Sequence, residues 1–497
     1  MPLRVVIVHY HLRPGGVTRV IENAVRSLAA HDIETLVITG EPYTGDVLRV
    51  GPQLPGFQGV RVTAALRYTQ PNERPVASAL AYDIHSIARE IFGGDPDLYH
   101  LHNHSLGKNN AFPDAVRRLA QNTPLLLQIH DFAEDGRPAN YRQLLPHLST
   151  PKALYPLGDH VHYALLNRRD RDTLIAAGLP EAHAHYLPNP VAVAQEEAVS
   201  ERERRHVRER LLGEGPGNAA TLFIYPTRGI RRKNLGEMLL WASLAEPNTV
   251  FASTLSPANP NEQPVYEDWV RFADAEGLPV LFGVGEEKGM TFPGILAAAD
   301  WTLTTSVAEG FGLAYLEPFL AQRVILGRDL PDITADFREV GVNLEHLYAR
   351  LDVPLDAVDA PTLRVRLDAK LDETYQAYGQ PRPNDATEIA FADIVRDDHA
   401  DFGRLDETLQ QAAIRALRGA SPQELPRLPF PQGEATALCQ ANAEKVRAHF
   451  SLEAQGQLLA DLYRQVAGSS PGSLDSLEPE KLLQGFLDPK RFNLLRA

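Results

Sequence analysis

The first forty residues restrict the fold more than any other stretch. Residues 3–10, LRVVIVHY, are a near-continuous β-branched run, the pattern of a strand buried on both faces of a parallel sheet. Gly15 and Gly16 follow in a short loop, and residues 17–30 place Val17, Val20, Ile21, Ala24, Val25 and Leu28 on one helical face. Residues 34–39, ETLVIT, return to a strand. Strand, helix and strand in that order make a βαβ unit. A chain that opens this way is expected to be an α/β protein with a parallel sheet.

The alternation continues. A helical pattern at 76–92 precedes LYHLHNH, 98–104, and another at 114–121 precedes PLLLQIHD, 124–131. Residues 160–167 lead to a helix at 169–177, and YLPNPV, 186–191, closes the set. A charged helical run at 195–212 and the linker-like GEGPGN, 213–218, then interrupt it. Strand patterns at 221–226, 249–254 and 278–283 alternate with helical ones at 235–244, 266–276 and 292–298. With 497 residues the chain exceeds a single core. The expected division is a Rossmann-like acceptor-side domain at 1–195 and a Rossmann-like donor-binding domain at 218–340. A mainly helical insertion at 341–431 follows, then closing helices at 432–497 that cross back to the first domain. The tract 435–467 reads as one long helix. Two doubly wound halves are expected to face a cleft at the carboxyl ends of their strands.

A net charge of −15 argues against a general nucleic-acid or anionic-membrane surface. The single cysteine, Cys439, excludes an intrachain disulfide framework and fits a reducing cytoplasm. The first apolar run is too short for a signal peptide, and nothing reaches about 18 consecutive apolar residues. A cytoplasmic protein without integral membrane association is expected.

The chemistry concentrates in SVAEGFGLAYLEP, 306–318, which follows the apolar WTLTTS. Glu309 and Glu317 lie eight residues apart around the turn Gly310–Phe311–Gly312. Strand, glycine turn and a helix starting near Leu313 are expected, with N–H groups free at the helix start for a phosphate or a sugar hydroxyl. Either carboxylate suits the paired hydroxyls of a ribose or hexose. Arg228 and Lys233 sit on the loop after strand 221–226, with Arg231 and Arg232 between them. There they read either as a diphosphate clamp or as a solvated basic loop. Gly15 and Gly16 let backbone approach a phosphate or substrate, or simply serve a tight turn. They do not form GxGxxG, so a dinucleotide site is not expected. His130, at a strand end, reads either as a contact or proton donor to a substrate hydroxyl or as a histidine bonded to backbone. His100, His102 and His104 alternate on one strand face, but no carboxylate or cysteine has the spacing to complete a metal site. No metal site, P-loop or nucleophile elbow is expected.

These motifs, in this order, resemble glycosyltransferase family 4, retaining enzymes of the GT-B fold. GGV at 15–17, IHD at 129–131, YLPNPV, TRGIRRKN at 227–234, EGFGLAYLE at 309–317 and FSLEAQGQLLADLYRQV at 450–466 carry the resemblance. It covers about residues 1–340 and 435–470, and EGFGLAYLE matches the family's E-x7-E signature. The resemblance implies that Arg228 and Lys233 hold the diphosphate of a UDP- or GDP-linked sugar. It puts Glu309 on the donor hexose, with backbone N–H groups of Phe311, Gly312 and Leu313 nearby, Glu317 on the ribose, His130 near the sugar, and Gly16 near diphosphate and acceptor. The implied reaction is a retaining hexosyl transfer; with Arg228 and Lys233 to hold the leaving diphosphate it is expected to need no metal and no cofactor, and the acidic charge and lack of a basic amphipathic helix lean toward a soluble acceptor, a small polar metabolite or saccharide. The donor base is expected near residues 282–286. Two alternatives stay open: a GT-B-fold sugar-nucleotide epimerase, and a non-catalytic relative that binds a sugar nucleotide or a partner. Departures from the family pattern are Pro190 and Asn234 where glycine is usual, Pro318 where alanine is usual, and the stretch 341–431. That stretch reads as a lid, an acceptor subsite or a homo-oligomer interface.

Overall fold

Val5, Val6, Ile7 and Val8 are wholly buried, as a two-sided parallel strand requires. The computed structural model describes residues 1–49, 54–191, 199–213, 219–418 and 425–496. It contains two compact units: one made of residues 1–192, 377–380 and 448–488, the other of 193–376, 381–447 and 489–497.

In the first unit, β1 (Leu3–His9), β2 (Ile33–Thr39), β3 (Phe57–Val62), β4 (Leu98–His102) and β5 (Leu125–Ile129) share one sheet with β7 (Val161–Leu165) and β8 (Ala184–Tyr186). The short β6 (Pro156–Leu157) lies outside it and pairs with residues 475–476. The order is β3-β2-β1-β4-β5-β7-β8, and all its pairings are parallel. The chain therefore winds outward in two directions from β1 and β4, which puts the topological switch point at their carboxyl ends. The period of two divides the core. Val6 and Val8 join Leu80, Ile84 and Ala88 of the helix Ala77–Phe92 on one face. Val5 and Ile7 join Ile21, Ala24, Val25 and Leu28 of the helix Gly16–Leu28 on the other, with Leu459, Ala460 and Tyr463 of the helix Leu452–Ala467. β3 was not legible as a strand: it is a half-exposed edge strand containing Gly59, and so lacks an apolar alternation.

In the second unit, β9 (Thr221–Arg228), β10 (Thr249–Leu255), β11 (Val280–Leu281), β12 (Trp301–Thr304) and β13 (Ile325–Gly327) form a parallel sheet in the order β11-β10-β9-β12-β13. Its switch point lies between β9 and β12. The helix Glu201–Leu212 packs Val207 and Leu211 against Leu222 and Ile224 of this sheet. The linker stretch 214–218 and residues 195–198 of the charged run lie outside the described residues. Both sheets are doubly wound and Rossmann-like, and the fold is of the GT-B class.

The stretch 341–431 contains the helices Ala360–Ala377, Ala386–Ile394 and Glu407–Leu417. Leu363, Leu367, Leu371 and Tyr375 recur every four residues as the buried stripe of the first. It also contains an antiparallel sheet of β14 (Asp352–Pro354), β15 (Val395–Arg396) and β16 (His399–Asp401), in the order β14-β16-β15, which no sequence pattern announces. The tract 435–467 is two helices, Ala435–Phe450 and Leu452–Ala467, and not one. Ser451 divides them, because its side chain accepts from Ala454 N and caps the second. Among the described residues no helix is long and apolar enough to cross a membrane.

The helix Leu452–Ala467 comes close to Gly16–Leu28 at Gly456, where a Cβ would stand 2.7 Å from the Ser27 carbonyl oxygen. Gly456→Leu is expected to destabilise the protein by about 1–3 kcal/mol through overpacking, read as a lowered melting temperature. Leu458→Ala, at an exposed position two residues on, is expected to change stability by less than about 0.5 kcal/mol.

Candidate active site

Two loops meet at the switch point of the second sheet. One follows β9 and carries residues 229–234; the other follows β12 and carries residues 305–316. Backbone and hydroxyl groups fasten them together. Val307 N donates to Arg232 O at 2.9 Å. The Thr305 hydroxyl donates to the carbonyls of Lys233 and Asn234 at 3.0 and 2.9 Å. Tyr225 OH donates to Lys233 O at 2.9 Å and shares a 2.8 Å bond with Ser306 Oγ. Asn234 has a φ of 50°, a left-handed conformation that asparagine tolerates better than most residues. That explains why asparagine can stand where the family usually has glycine.

Glu309 is the centre of this arrangement. Lys233 Nζ contacts Glu309 Oε1, and Arg232 NH1 donates to Glu309 Oε2 at 2.9 Å and to Ala308 O at 2.7 Å. The side chains of Glu309 and Lys233 are 8% and 13% exposed, whereas Arg232 is 42% exposed, so Arg232 forms the open side of the cluster. Burial alone would raise the Glu309 carboxyl. The charges of Lys233 and Arg232 outweigh it and hold the group at about 2. Glu309 is therefore an ionised hydrogen-bond acceptor, suited to hydroxyl donors.

Arg228 lies apart from this cluster. It is exposed, and its NH1 donates to Ser256 O at 3.0 Å. It has no carboxylate partner among the described residues. Ser256 N in turn donates to Glu286 Oε1 at 2.7 Å, within the stretch 282–286 expected to face the donor base. The loops after β9, β10 and β11 thus join at one end of the sheet. The resemblance puts Arg228 and Lys233 on one diphosphate; the structure brings Arg232 together with Lys233 to Glu309, and the sole sequence signal for Arg232 is its place in the RRK run.

The glycine turn differs from the expected helix start. Gly312 has a φ of 93°, and Leu313–Tyr315 is one 3-10 turn. A separate short helix, Glu317–Leu320, follows. Pro318 lacks an N–H to give, so it sits in that helix's first turn, and Glu317 opens the helix instead of lying along one begun at Leu313. Phe311 is buried edge-on against Phe337, with ring centroids 5.3 Å apart. Gly310 lies between Glu309 and this anchored ring.

The stretch 341–431 braces the same loop. Glu407 accepts both from Arg231 Nε at 2.6 Å and from NH2 at 3.1 Å. Buried Gln410 donates to Asn234 Oδ1 at 2.8 Å, and the Asn234 amide donates to Glu237 at 2.8 Å. Arg231 is consequently occupied by its own unit, a role that sequence reasoning missed.

The remaining candidates lie in the first unit. His130 is buried, its Nε2 is 2.8 Å from His102 Nδ1, and its backbone N donates to Asn103 Oδ1 at 2.7 Å. Burial pulls its imidazole down to about 4, against the opposing charge of Asp131, so it is neutral at pH 7. Gly15 has an extended φ of 172°, and a Cβ at Gly16 would meet nothing within 4 Å. A tight turn therefore does not account for this pair. His100 and His102 share a strand face, with ring centroids 4.3 Å apart. Asn103 ends that strand with a φ of 53°, and His104 turns away to bond Leu154 O at 2.9 Å, so the three do not line one face.

Comparison with known proteins agrees with this layout. Residues 14–195 match the family model Glycosyltransferase Family 4. The mannosylglucosyl-3-phosphoglycerate synthase of Petrotoga mobilis is 30% identical over 352 residues, which span 67% of this chain. The match spans 66% of that relative, just under two thirds of its length. Among solved structures, Anabaena HepE in complex with UDP and glucose is 12% identical with a TM-score of 0.54, covering 93% of this chain and 100% of its own. Sucrose-phosphate synthase from Thermosynechococcus elongatus is 15% identical with a TM-score of 0.55, covering 93% and 99%. At such identities these structures speak to the fold.

The depressed Glu309 carboxyl has a signed consequence. A group held below its unfolded value stabilises the fold above that unfolded value and loses the contribution as pH falls through the folded one. Glu309→Gln should therefore destabilise the protein most above about pH 5. The gap from wild type should close as pH falls toward about 2 in urea titrations. A gap that widens on acidification would contradict the pairing.

Proposed function

The chain carries a glycosyltransferase family 4 domain over residues 14–195, and from that footing we propose that it transfers a hexosyl group from a nucleotide-diphosphate sugar to a hydroxyl of a small polar acceptor. The observation that carries this reading is the Lys233–Glu309–Arg232 cluster at the switch point of the second sheet, with Arg228 at the end of β9 and without a carboxylate partner among the described residues. Opposite charges at one strand end suit a ligand that has both a diphosphate and a polyol.

In this reading the donor diphosphate takes Arg228, Arg232 and Lys233 as partners. Arg232 and Lys233 turn from Glu309 to phosphate oxygens, and the released carboxylate accepts hydrogen bonds from the sugar hydroxyls. Glu317 receives the ribose hydroxyls, and backbone N–H groups along Gly310, Phe311, Gly312 and Leu313 line the donor. As the anomeric C–O bond breaks, negative charge grows on the leaving diphosphate, and the fixed cations stabilise it. The leaving phosphate oxygen takes the acceptor hydroxyl's proton while that oxygen attacks the same face, so configuration is retained. No step of this sequence requires a divalent metal or a protein nucleophile. His130, neutral at pH 7, is suited to hydrogen bonding with a sugar hydroxyl and not to acid catalysis. Gly15 and Gly16 keep the loop after β1 free of side chains and open to close approach by an acceptor or a phosphate. The Petrotoga relative is named for a glycosylated phosphoglycerate product, which favours a small polar acceptor over a lipid.

Lys233→Ala is expected to lower kcat by about 100- to 1000-fold with the accepted UDP- or GDP-sugar, the scale of losing one stabiliser of developing charge. Turnover by wild type should survive EDTA, and NMR of the product should show the donor's anomeric configuration. Near-normal turnover by Lys233→Ala would refute the assignment. Release of nucleotide diphosphate with the sugar epimerised and no acceptor consumed would favour an epimerase.

A further inference from the structure

The switch point of the first sheet carries a built cationic site. Tyr10 OH donates to Asn103 O at 2.6 Å and ties the end of β1 to the end of β4. The loop after β4 holds Lys108, and the loop after β3 holds Tyr68. Two buried asparagines and a threonine zip these loops together. Asn109 donates its amide to the carbonyls of Ala65 and Arg67 at 2.8 and 2.7 Å. Asn110 N donates to Thr69 Oγ1 at 3.0 Å, and Thr69 N donates to Lys108 O at 2.8 Å. The Lys108 ammonium consequently stands over the Tyr68 ring, 5.5 Å from its centroid. The Tyr68 hydroxyl lies 2.9 Å from His11 Nε2, on the loop that runs on to Gly15 and Gly16.

The charges around this point are unevenly satisfied. Arg13 is held by Glu41 at 2.6 and 2.8 Å, and Arg137 by Asp131 at 2.6 Å. Lys108 has no carboxylate partner among the described residues. Among the described residues its one side-chain hydrogen bond is a 3.4 Å contact to the neutral Asn140 Oδ1. It is half-buried, and burial, then the neighbouring Arg137, draws its ammonium below the ordinary lysine value against the pull of Asp131. A partly desolvated cation with no carboxylate in contact with it among the described residues, fixed at a switch point, is a seat for an anion.

We propose that Lys108, set over the Tyr68 ring whose hydroxyl meets His11, is the anion-recognising residue of the acceptor subsite and receives a phosphomonoester or carboxylate of the acceptor. This rests on the transferase reading above, since it takes the ligand of the first unit to be the acceptor.

Calorimetric titration of the whole chain tests it with three probes: 3-phosphoglycerate, sn-glycerol 3-phosphate and D-glycerate. Wild type should bind 3-phosphoglycerate. Binding of sn-glycerol 3-phosphate alone would name the phosphate as the recognised group, and of D-glycerate alone the carboxylate. Lys108→Gln should weaken 3-phosphoglycerate by about 10- to 100-fold, as loss of a charge-assisted contact does, and Lys108→Arg should restore most of it. An unchanged melting temperature for both variants excludes misfolding as the cause. Equal affinity in Lys108→Gln and wild type, or no binding of any probe by wild type, would overturn the proposal. UDP and GDP titrated in parallel separate the two readings. Nucleotide binding without anion binding sinks the Lys108 assignment and spares the transferase. Lys108-dependent anion binding without nucleotide binding keeps the anion seat and sinks its role as an acceptor subsite.

Discussion

Arg328 is buried to 3% exposure, and the second unit is arranged around the need to satisfy it. Its guanidinium binds Glu237 at 2.7 Å and Asp401 at 2.9 Å, and it reaches Ala349 O at 3.2 Å. Taking one partner from such a cluster leaves an uncompensated charge in the interior, so its members fix one another's positions. The consequences reach the candidate site in two steps. Glu237 accepts from Arg328, from Tyr348 OH and from the Asn234 amide, and Asn234 is the residue after Lys233. The same arginine holds β16 of the 341–431 stretch through Asp401, and Gly403 is glycine because a Cβ there would stand 2.3 Å from the guanidinium. The extra stretch is thereby tied to the loop that carries Arg232 and Lys233, which ordinary surface packing would not achieve.

The two units use a similar local device. Each has an asparagine in the left-handed region where a strand gives way to the loop of interest: Asn103 at φ 53° after β4, and Asn234 at φ 50° beyond β9. Glycine would fit the backbone more easily, but it has no side chain to contribute. Asn103 Oδ1 accepts from the backbone N of both His130 and Asp131, which draws the end of β5 toward β4. Asn234 donates to Glu237 and accepts from Gln410. In both cases the amide bonds beyond its own loop, so the conformational cost of a positive φ is offset by polar satisfaction of a buried segment.

Legibility of the sequence follows the energetics of each element. β1, β2, β4 and β5 are central strands whose apolar content shows in any window, and the βα rhythm around them gave the fold class directly. β3 and the strands β14–β16 owe their existence to pairing partners, some far along the chain, and strands of two or three residues such as β14–β16 have no period to read. That the basic loop at 228–233 and the turn carrying Glu309 share one end of the second sheet was legible, because glycine turns and basic loops at strand ends are local. Which arginine meets Glu309 was not. Arg228, Arg231 and Arg232 lie within five residues, yet one donates to a backbone carbonyl, one is bound by Glu407 and one reaches Glu309. That choice depends on the 3-10 turn at Arg231–Lys233, which rotates successive side chains by about a third of a turn. Pro318 was the one local warning about Glu317, and it marked the true start of that helix.

An acidic chain with a net charge of −15 has enough carboxylates to neutralise every cation it places at a strand end. It does so for Arg13, Arg137, Arg231 and Arg232, each of which has a carboxylate at hydrogen-bonding distance. The exceptions stand out against that background. In the second unit Arg228 is exposed and, among the described residues, bonded through a backbone carbonyl alone, so hydration offsets most of its charge. In the first unit Lys108 is half-buried with one long bond to a neutral amide, so water offsets less. The two cations thus differ in what an arriving anion would gain. At Arg228 it would exchange water for a planar, bidentate donor, which favours geometry over strength. At Lys108 it would complete a charge that the fold has already partly stripped of solvent, which favours strength and tolerates varied anion shapes.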